Sequence, residues 1–302
     1  MEKVLKFWFM QVSRGYSLPM SITNWLVVFS LGILGDGNIF YGVLALIGFM
    51  FAHLGTNVFD DVVDQWLKVP KQKYKSVHLD NGQTNLKAIS VLAFVYFSIA
   101  AVIGLFLTIK CGYVVAILAA IGAVIALLYP RLNNYSLGEL AVGLVFGPLL
   151  FFGVYYVMTG LIVPKVLYVS VPVAIFTVVV LMVHALMDYD FDIKSGKRTL
   201  CILAGSKLLA LNLIFALIII AYFITLLLIL YDYLPILAGA SFGAIVAIVT
   251  LYARLARYIG TDVHAQDEFI KNFALARNIG TVYCFAVAAA LLIEKFIIWK
   301  VL

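Results

Sequence analysis

The residues best suited to chemistry in this sequence form two acidic clusters, each at the end of a long apolar run. Six of the 15 acidic residues of the chain fall in these two clusters. Carboxylates near a bilayer are costly, and they usually serve a function. The clusters are Asn57, Asp60, Asp61 and Asp64 in GTNVFDDVVDQWLK (55–68), and Asp188, Asp190 and Asp192 in HALMDYDFDIKSGKRTL (184–200).

The spacing within each cluster predicts a metal site. Residues at i and i+4 share one face of a helix, as Asn57 and Asp61 do, and like charges so placed repel unless a cation lies between them. Oxygen ligands without a nearby cysteine suit Mg²⁺, which commonly bridges carboxylates to a phosphate. The predicted metal ligands are Asn57, Asp60, Asp61, Asp64, Asp188 and Asp192, with Asp61, Asp64, Asp188 and Asp192 as the catalytic carboxylates.

Basic residues follow both clusters. The segment YPRLNN brings Tyr129 and Arg131 to the same side of the molecule. Mg²⁺ together with Lys and Arg side chains can stabilise the charge that develops on a departing diphosphate. The basic residues are Lys68, Lys71, Lys73 and Lys75 after the first cluster, and Lys194, Lys197 and Arg198 after the second.

The composition identifies the solvent in which these clusters lie. The chain has 302 residues, of which 65% are hydrophobic and 12% charged, and its mean hydropathy is +1.09. A water-soluble domain of this composition would need an apolar surface, so we predict an all-α polytopic protein in a lipid bilayer. The net charge of +6 comes from residues in short loops, which excludes a nucleic-acid-binding face.

Nine apolar runs are long enough to cross a bilayer, which takes about 20 residues. Of the 21 Lys and Arg residues, all but Lys110, Lys165, Lys295 and Lys300 fall on the side of the N-terminus and the even-numbered loops. The positive-inside rule therefore predicts that this side, with both acidic clusters, is cytoplasmic, in the inner membrane of a cell. The predicted spans are 20–35, 39–59, 86–108, 112–130, 138–159, 165–187, 207–231, 234–255 and 277–298.

Several of these segments resemble a known family. TNVFDDVVD, followed about 130 residues later by DYDFDIKSGKRTL, is similar to the two aspartate-rich motifs of the UbiA superfamily of intramembrane prenyltransferases. SLGELAVGLVFGPLLFFGVYYVMTG (136–160) and SRGYSLPMSITNW resemble the branch that prenylates 1,4-dihydroxy-2-naphthoate in menaquinone synthesis.

The resemblance implies a single domain over residues 1–302, with nine helices around a central cavity and both motifs at its cytoplasmic mouth. Mg²⁺ would bridge the motifs to a polyprenyl diphosphate, whose ionisation gives an allylic cation that an aromatic acceptor attacks. The carry-over gives Asp190 no ligand role and makes Asn57, Asp61 and Asp64 the first metal-binding set, with Asp188 and Asp192 as the second. The diphosphate-binding residues would be Lys197 and Arg131, with Lys68 or Lys73.

A polyprenyl tail also needs an apolar slot, from which water is kept away. Tyr155 and Tyr156, with Phe151 and Phe152, could line it and offer π faces to the cation, or could face lipid or pack in the bundle. Tyr129 is also predicted to border the cavity. His184, one turn before Asp188, is predicted to border it, and it could either assist a proton transfer or form a hydrogen bond within the bundle. An internal duplication, with four-helix halves at 20–130 and 138–255 and a ninth helix at 277–298, is a further expectation.

Alternatives remain open at this stage. Lys68 occupies a position where many family members carry another Asp, and the loop after the fourth span lacks the Gly-rich stretch of the naphthoate branch. The acceptor is therefore open among naphthoate, 4-hydroxybenzoate, a tetrapyrrole and a glycerol phosphate, and a terpene cyclase needs none. The alternative that is not an enzyme is a transporter.

Overall fold

A computed structural model describes residues 2–67, 84–261 and 266–301, and every element within these ranges is helical. Nine of the described helical segments are long and apolar enough to cross a bilayer, which confirms the predicted fold class. The helices are α1 (Glu2–Phe7), α2 (Leu18–Leu34), α3 (Ile39–Trp66), α4 (Leu86–Cys111), α5 (Tyr113–Leu132), α6 (Gly138–Leu144), α7 (Leu150–Thr159), α8 (Pro164–Met187), α9 (Tyr189–Lys194), α10 (Leu200–Leu203), α11 (Lys207–Leu230), α12 (Ile245–Ile259) and α13 (Gln266–Val301).

Two helices extend well beyond the predicted apolar runs. α3 continues past residue 59 to Trp66, so the whole first acidic cluster is helical. α13 begins at Gln266 instead of residue 277, and it includes Lys271 and Arg277. In both cases charged residues end the apolar run but not the helix, because the helix needs only continued backbone hydrogen bonds once it leaves the lipid.

Local sequence signals account for several helix starts. The side chain of Asn38 accepts the backbone N–H of Tyr41 at the start of α3, and Asn85 does the same for Ala88 at the start of α4. Such N-caps satisfy backbone donors that have no partner within the helix. These two long helices therefore begin where the sequence supplies a polar cap next to an apolar run.

A π-helical segment, Val145–Leu149, joins α6 to α7 around Pro148. Proline cannot donate a backbone hydrogen bond, and π-bulges of this kind are frequent at functional sites. The carbonyl oxygen of Phe146 accepts a hydrogen bond from the Asn24 amide of α2 at 3.3 Å. The irregular segment is thus anchored to a neighbouring helix, and it faces the cavity described below.

The later helices build a filled core. Phe176 of α8, Tyr222 of α11 and Tyr283 of α13 are mutual ring neighbours, with centroids 4.5–5.9 Å apart. The Tyr283 hydroxyl is hydrogen-bonded to Thr225 at 2.7 Å, which satisfies a buried polar group. Open space is found instead on the side of α3, α4, α5 and the α6–α7 segment.

Candidate active site

A cavity of about 900 Å³ lies among α3, α4, α5, the α6–α7 segment and the end of α8. This volume is at the upper end of the range of about 300–1,000 Å³ for small-molecule sites. One end of the cavity, here called the mouth, is lined by polar side chains. The opposite end, here called the deep end, is lined by Leu107, Thr108, Val115, Val154 and Val157.

The mouth brings together residues from both acidic clusters and from the basic segment. Asn57 comes from α3 and Asp192 from α9, while Lys197 comes from the loop that follows α9. These residues are distant in sequence, and the helix ends bring them to one rim. Tyr129 and His184, both predicted from sequence, also line the cavity.

The two adjacent aspartates of the first cluster lie behind the mouth. Asp60 is 2% exposed and Asp61 is 1% exposed. Arg14 pairs with both: one guanidinium nitrogen is 3.3 Å from Asp60 Oδ2, and the other contacts Asp61 Oδ1. Burial disfavours the charge of Arg14, but the carboxylates of Asp61 and Asp60 outweigh it and raise its pKa. Because Arg14 also lines the cavity, this ion-paired guanidinium stands at the mouth.

The amide of Asn57 is oriented by its surroundings. Its Nδ2 donates to the carbonyl oxygen of Ser13 at 3.4 Å and to Ser17 Oγ at 3.2 Å. A carbonyl oxygen can only accept, so the nitrogen must face Ser13 and the amide oxygen must point away from it. This is the orientation that a metal-binding asparagine needs.

A histidine supports this arrangement from one turn away. His53 Nε2 is 3.1 Å from Ser17 Oγ, and its Nδ1 is 2.7 Å from Ser21 Oγ. The Ser17 hydroxyl donates to the Arg14 carbonyl oxygen at 2.8 Å. Its lone pairs therefore accept from Asn57 and from His53 Nε2–H, which leaves Nδ1 to accept from Ser21. His53, Ser17 and Asn57 thus form one hydrogen-bonded chain that leads to the mouth.

The second acidic cluster is tied to the loop that follows it. Asp192 is 3% exposed, and its carbonyl oxygen accepts the backbone N–H of Lys197 at 3.0 Å. The next residue, Arg198, exchanges backbone hydrogen bonds with the loop after α5, donating to Asn133 at 3.2 Å and accepting from Ser136 at 2.9 Å. The position of Lys197 therefore depends on the pairing of two loops.

Glu139 fastens the far end of the same loop. Its Oε1 accepts the backbone N–H of Leu200 at 3.1 Å, at the start of α10. Glu139 is 6% exposed and lies on the cavity wall near Thr199 and Lys197. A buried carboxylate on α6 thus connects the wall of the cavity to the segment that carries Lys197.

His184 and Asp188 are neighbours at the end of α8. His184 Nδ1 lies 3.5 Å from Asp188 Oδ2, and its ring meets those of Phe269 and Phe273 edge to face, with centroids 5.0 and 5.8 Å apart. Through these contacts the start of α13 covers one side of the mouth. The predicted proximity of His184 to the second cluster is present in the structure.

Several predicted site residues lie elsewhere. Arg131 is exposed, Asp64 and Asp188 are half-buried, and none of the three is among the residues that line the cavity. Asp190 is 58% exposed and pairs with Lys207 at 2.6 Å. Lys68 and Lys73 lie outside the described residues.

The structure places Tyr155 and Tyr156, which were predicted to line the slot, outside the lining of this cavity. On α7 the cavity is lined by Leu150, Gly153, Val154 and Val157, and neither tyrosine is among the lining residues. Their hydroxyls lie near Gly35 and Gly112, at the other end of the bundle.

The donor atoms fit Mg²⁺, although the described residues contain no group of three His, Cys, Asp or Glu side chains that is ready to hold a metal. Mg²⁺ is usually held by one or two carboxylates, with water and substrate phosphate completing its shell. The oxygen atoms of Asn57 and Asp192 at one rim match that requirement. The site is therefore suited to a metal that arrives together with a phosphate.

Comparisons with known proteins agree with this geometry. A 1,4-dihydroxy-2-naphthoate octaprenyltransferase from Bacillus subtilis (strain 168) is 28% identical over 125 residues, and the match spans 40% of each chain. The apo structure of a UbiA homologue from Aeropyrum pernix K1 has a TM-score of 0.69 at 17% identity, covering 88% of this chain and 96% of that one.

A UbiA homologue from Archaeoglobus fulgidus, bound to GPP and Mg²⁺, has a TM-score of 0.64 at 16% identity and covers 93% and 99% of the two chains. At such low sequence identities, the structural similarity shows a shared fold and nothing more. The profile of the UbiA prenyltransferase family matches residues 22–276, which is most of the chain. This protein is thus an integral membrane enzyme, and it belongs to the UbiA prenyltransferase family.

Proposed function

We propose that this protein transfers a polyprenyl group from a polyprenyl diphosphate to an aromatic acceptor of the 1,4-dihydroxy-2-naphthoate type, with Mg²⁺ as cofactor. The observation that carries the proposal is the pairing of a polar, cation-bearing mouth with a long apolar cavity. A prenyl diphosphate has the same division between a charged head and an apolar tail. The partial match to the Bacillus subtilis naphthoate enzyme supports the choice of acceptor.

The metal would be held by oxygen atoms of Asn57, Asp60, Asp61, Asp64, Asp188 and Asp192. Once bound, it neutralises charge on the diphosphate and so makes it a better leaving group. The side chains of Lys197 and Arg14 lie at the mouth and would contribute positive charge beside the diphosphate, the Arg14 guanidinium being held there by Asp60 and Asp61. Lys68, Lys73 and Arg131 remain predicted diphosphate ligands.

The reaction breaks the C–O bond between the prenyl carbon and the diphosphate, whose oxygen keeps the electron pair. A ring carbon of the acceptor then forms a C–C bond to the allylic cation and loses its proton. His184, paired with Asp188 and facing the cavity, is the side chain we assign to that proton. The apolar wall keeps water from quenching the cation.

The mouth lies at the end of the bundle where the even-numbered loops meet. These loops carry most of the Lys and Arg residues of the chain, so we propose that the mouth opens to the cytoplasm. Substrates made in the cytoplasm would then reach the metal site directly, while the tail enters the bilayer-embedded cavity.

The decisive experiment compares two neighbouring aspartates. Purified protein in detergent is given geranylgeranyl diphosphate and Mg²⁺, with and without 1,4-dihydroxy-2-naphthoate, and both diphosphate release and prenylated product are measured. Asp192→Asn should lower turnover by about 100-fold or more, because it removes a charge at the reacting centre. Asp190→Asn is the matched control, since that side chain is exposed and paired with Lys207, and it should remain active.

Other results of this assay would indicate a different function. Diphosphate release without an acceptor would indicate a cyclase, and release with another acceptor would correct the naphthoate assignment. No release under any condition, with several chain lengths tried, would overturn the proposed function and favour transport.

A further inference from the structure

We propose that the deep end of the cavity limits the prenyl substrate to about four isoprene units, and that Gly104 and Gly153 determine this limit. This inference rests on the proposed function and concerns the tail of its substrate. It starts from the length of the cavity, which is estimated from the lining residues of three helices.

The cavity extends over a similar distance on each helix. Its lining runs from Ala45 to Asn57 on α3 and from Val115 to Tyr129 on α5. At about 1.5 Å per residue these stretches are about 18 Å and about 21 Å long. The lining of α4, which starts at Phe97 and ends at Thr108, gives about 17 Å by the same rise.

This depth corresponds to a definite number of isoprene units. An extended polypeptide advances about 3.3–3.6 Å over three bonds, so an isoprene unit of four chain bonds spans about 4.7 Å. A depth of about 17–21 Å therefore holds about four units. The diphosphate would lie outside this length, among the polar residues of the mouth.

Packed side chains form part of the wall at the deep end. Val154 is 2% exposed, and Leu107 and Val157 are each 4% exposed although they line the cavity. Close-packed interiors resist the insertion of extra methylene groups. A tail longer than the cavity would have to bend sideways between helices instead of advancing.

Two glycines keep the last part of the cavity wide. Gly104 is one turn before Thr108, and Gly153 is one turn before Val157, so both lie about 6 Å short of the deep end. Among the described residues, a Cβ built on either glycine meets no heavy atom within 4 Å. A side chain at either position would therefore project into open space, at the depth of the last isoprene unit.

The test replaces each glycine by leucine and measures kcat/KM for geranyl, farnesyl, geranylgeranyl and longer prenyl diphosphates with one acceptor. In Gly153→Leu and Gly104→Leu, the ratio of geranylgeranyl to geranyl transfer should fall by at least about tenfold, because the added side chain occupies the place of the last unit. Gly243→Leu is the matched control. It makes the same change at an exposed site outside the cavity lining, where a Cβ also has open space, and should leave the ratio unaltered.

A ratio between two substrates is insensitive to partial loss of folded protein, since both rates fall together. An unchanged ratio in both cavity variants would overturn the inference, as would equal use of much longer tails by the unaltered protein. Loss of geranyl transfer together with longer substrates would also overturn it, because the glycines would then act on the whole site. Absence of transfer by the unaltered protein with every tail length would instead count against the proposed function.

Discussion

His53 affects the mouth only through its neighbours. Its ring contacts Ser17 and Ser21 through both nitrogens, and Ser17 in turn accepts the amide N–H of Asn57. Groups that orient a metal ligand in this way typically contribute about 10–100-fold to metal affinity or activity. His53 is therefore a positioning residue in our account, and metal affinity should report on its loss.

We expect His53→Phe to raise the Mg²⁺ concentration needed for half-maximal activity by about tenfold. Phenylalanine keeps the edge-to-face contact with Phe146, whose ring centroid is 5.1 Å from that of His53, but cannot hydrogen-bond to Ser17. Mn²⁺ binding measured by electron paramagnetic resonance in the presence of prenyl diphosphate should weaken in parallel.

His53→Gln is the control for this prediction, because a glutamine amide can donate to one serine and accept from the other. It should restore metal affinity close to that of the unaltered protein. If both variants bound metal equally well, the hydrogen-bonded chain would have no part in orienting Asn57.

At the scale of single residues, the sequence predicts those whose role follows from the spacing of residues within a short motif. Asn57, Asp192, Lys197, Tyr129 and His184 were all predicted, and all line the cavity. Arg14, Ser17, His53 and Glu139 were missed, because their roles depend on contacts across 32 to 61 residues of chain. The resemblance of SRGYSLPMSITNW to its family was a usable signal, since it contains both Arg14 and Ser17.

At the scale of elements, the loop between α9 and α10 is held from three directions. It bonds to Asp192 at its start, to the loop after α5 in its middle, and to Glu139 of α6 at its end. Loops position functional side chains well only when a rigid scaffold fixes them. Removing one of these attachments should therefore weaken the binding of diphosphate by Lys197, although the charge of Lys197 is unchanged.

We expect Glu139→Ala to raise the KM for prenyl diphosphate and to speed amide hydrogen exchange at Leu200 and in the preceding loop. The cause is a lost acceptor at the start of α10, where a buried N–H without a partner costs about 1–3 kcal/mol. Glu139→Gln keeps a side-chain oxygen and should behave like the unaltered protein in both measurements. A rise in KM with normal exchange in the loop would instead indicate direct contact between Glu139 and substrate.

Helix ends were harder to predict than helix positions. Nine apolar runs correspond to nine candidate spans in the described part of the chain, because lipid leaves the backbone few alternatives to a helix. The end of α3 and the start of α13 are polar in sequence. Hydropathy there does not indicate whether the helix continues. Hydropathy also could not show that Tyr155 and Tyr156 lie outside the cavity lining, because a run that is apolar on all sides does not indicate which face meets a cavity.

At the scale of the whole molecule, charge and contacts divide the protein into two ends. Lys295 of α13 pairs with Asp36 of the loop between α2 and α3, so both lie at the end opposite the mouth. The loop after α11, which contains Asp232, lies at that same end by helix count. Thr261, just after α12, lies at the end of the mouth.

This division gives a direct test of orientation in the membrane. A membrane-impermeant maleimide added to intact cells should label Asp232→Cys and should leave Thr261→Cys unlabelled until the cells are opened. Both positions are exposed, so the difference reports on the side of the membrane and not on burial. The experiment uses a Cys111→Ala background, because Cys201 and Cys284 are buried whereas Cys111 is partly exposed near the Asp232 end. The reverse labelling pattern would turn the mouth away from the cytoplasm, and prenyl diphosphate would then have to be supplied from outside the cell membrane.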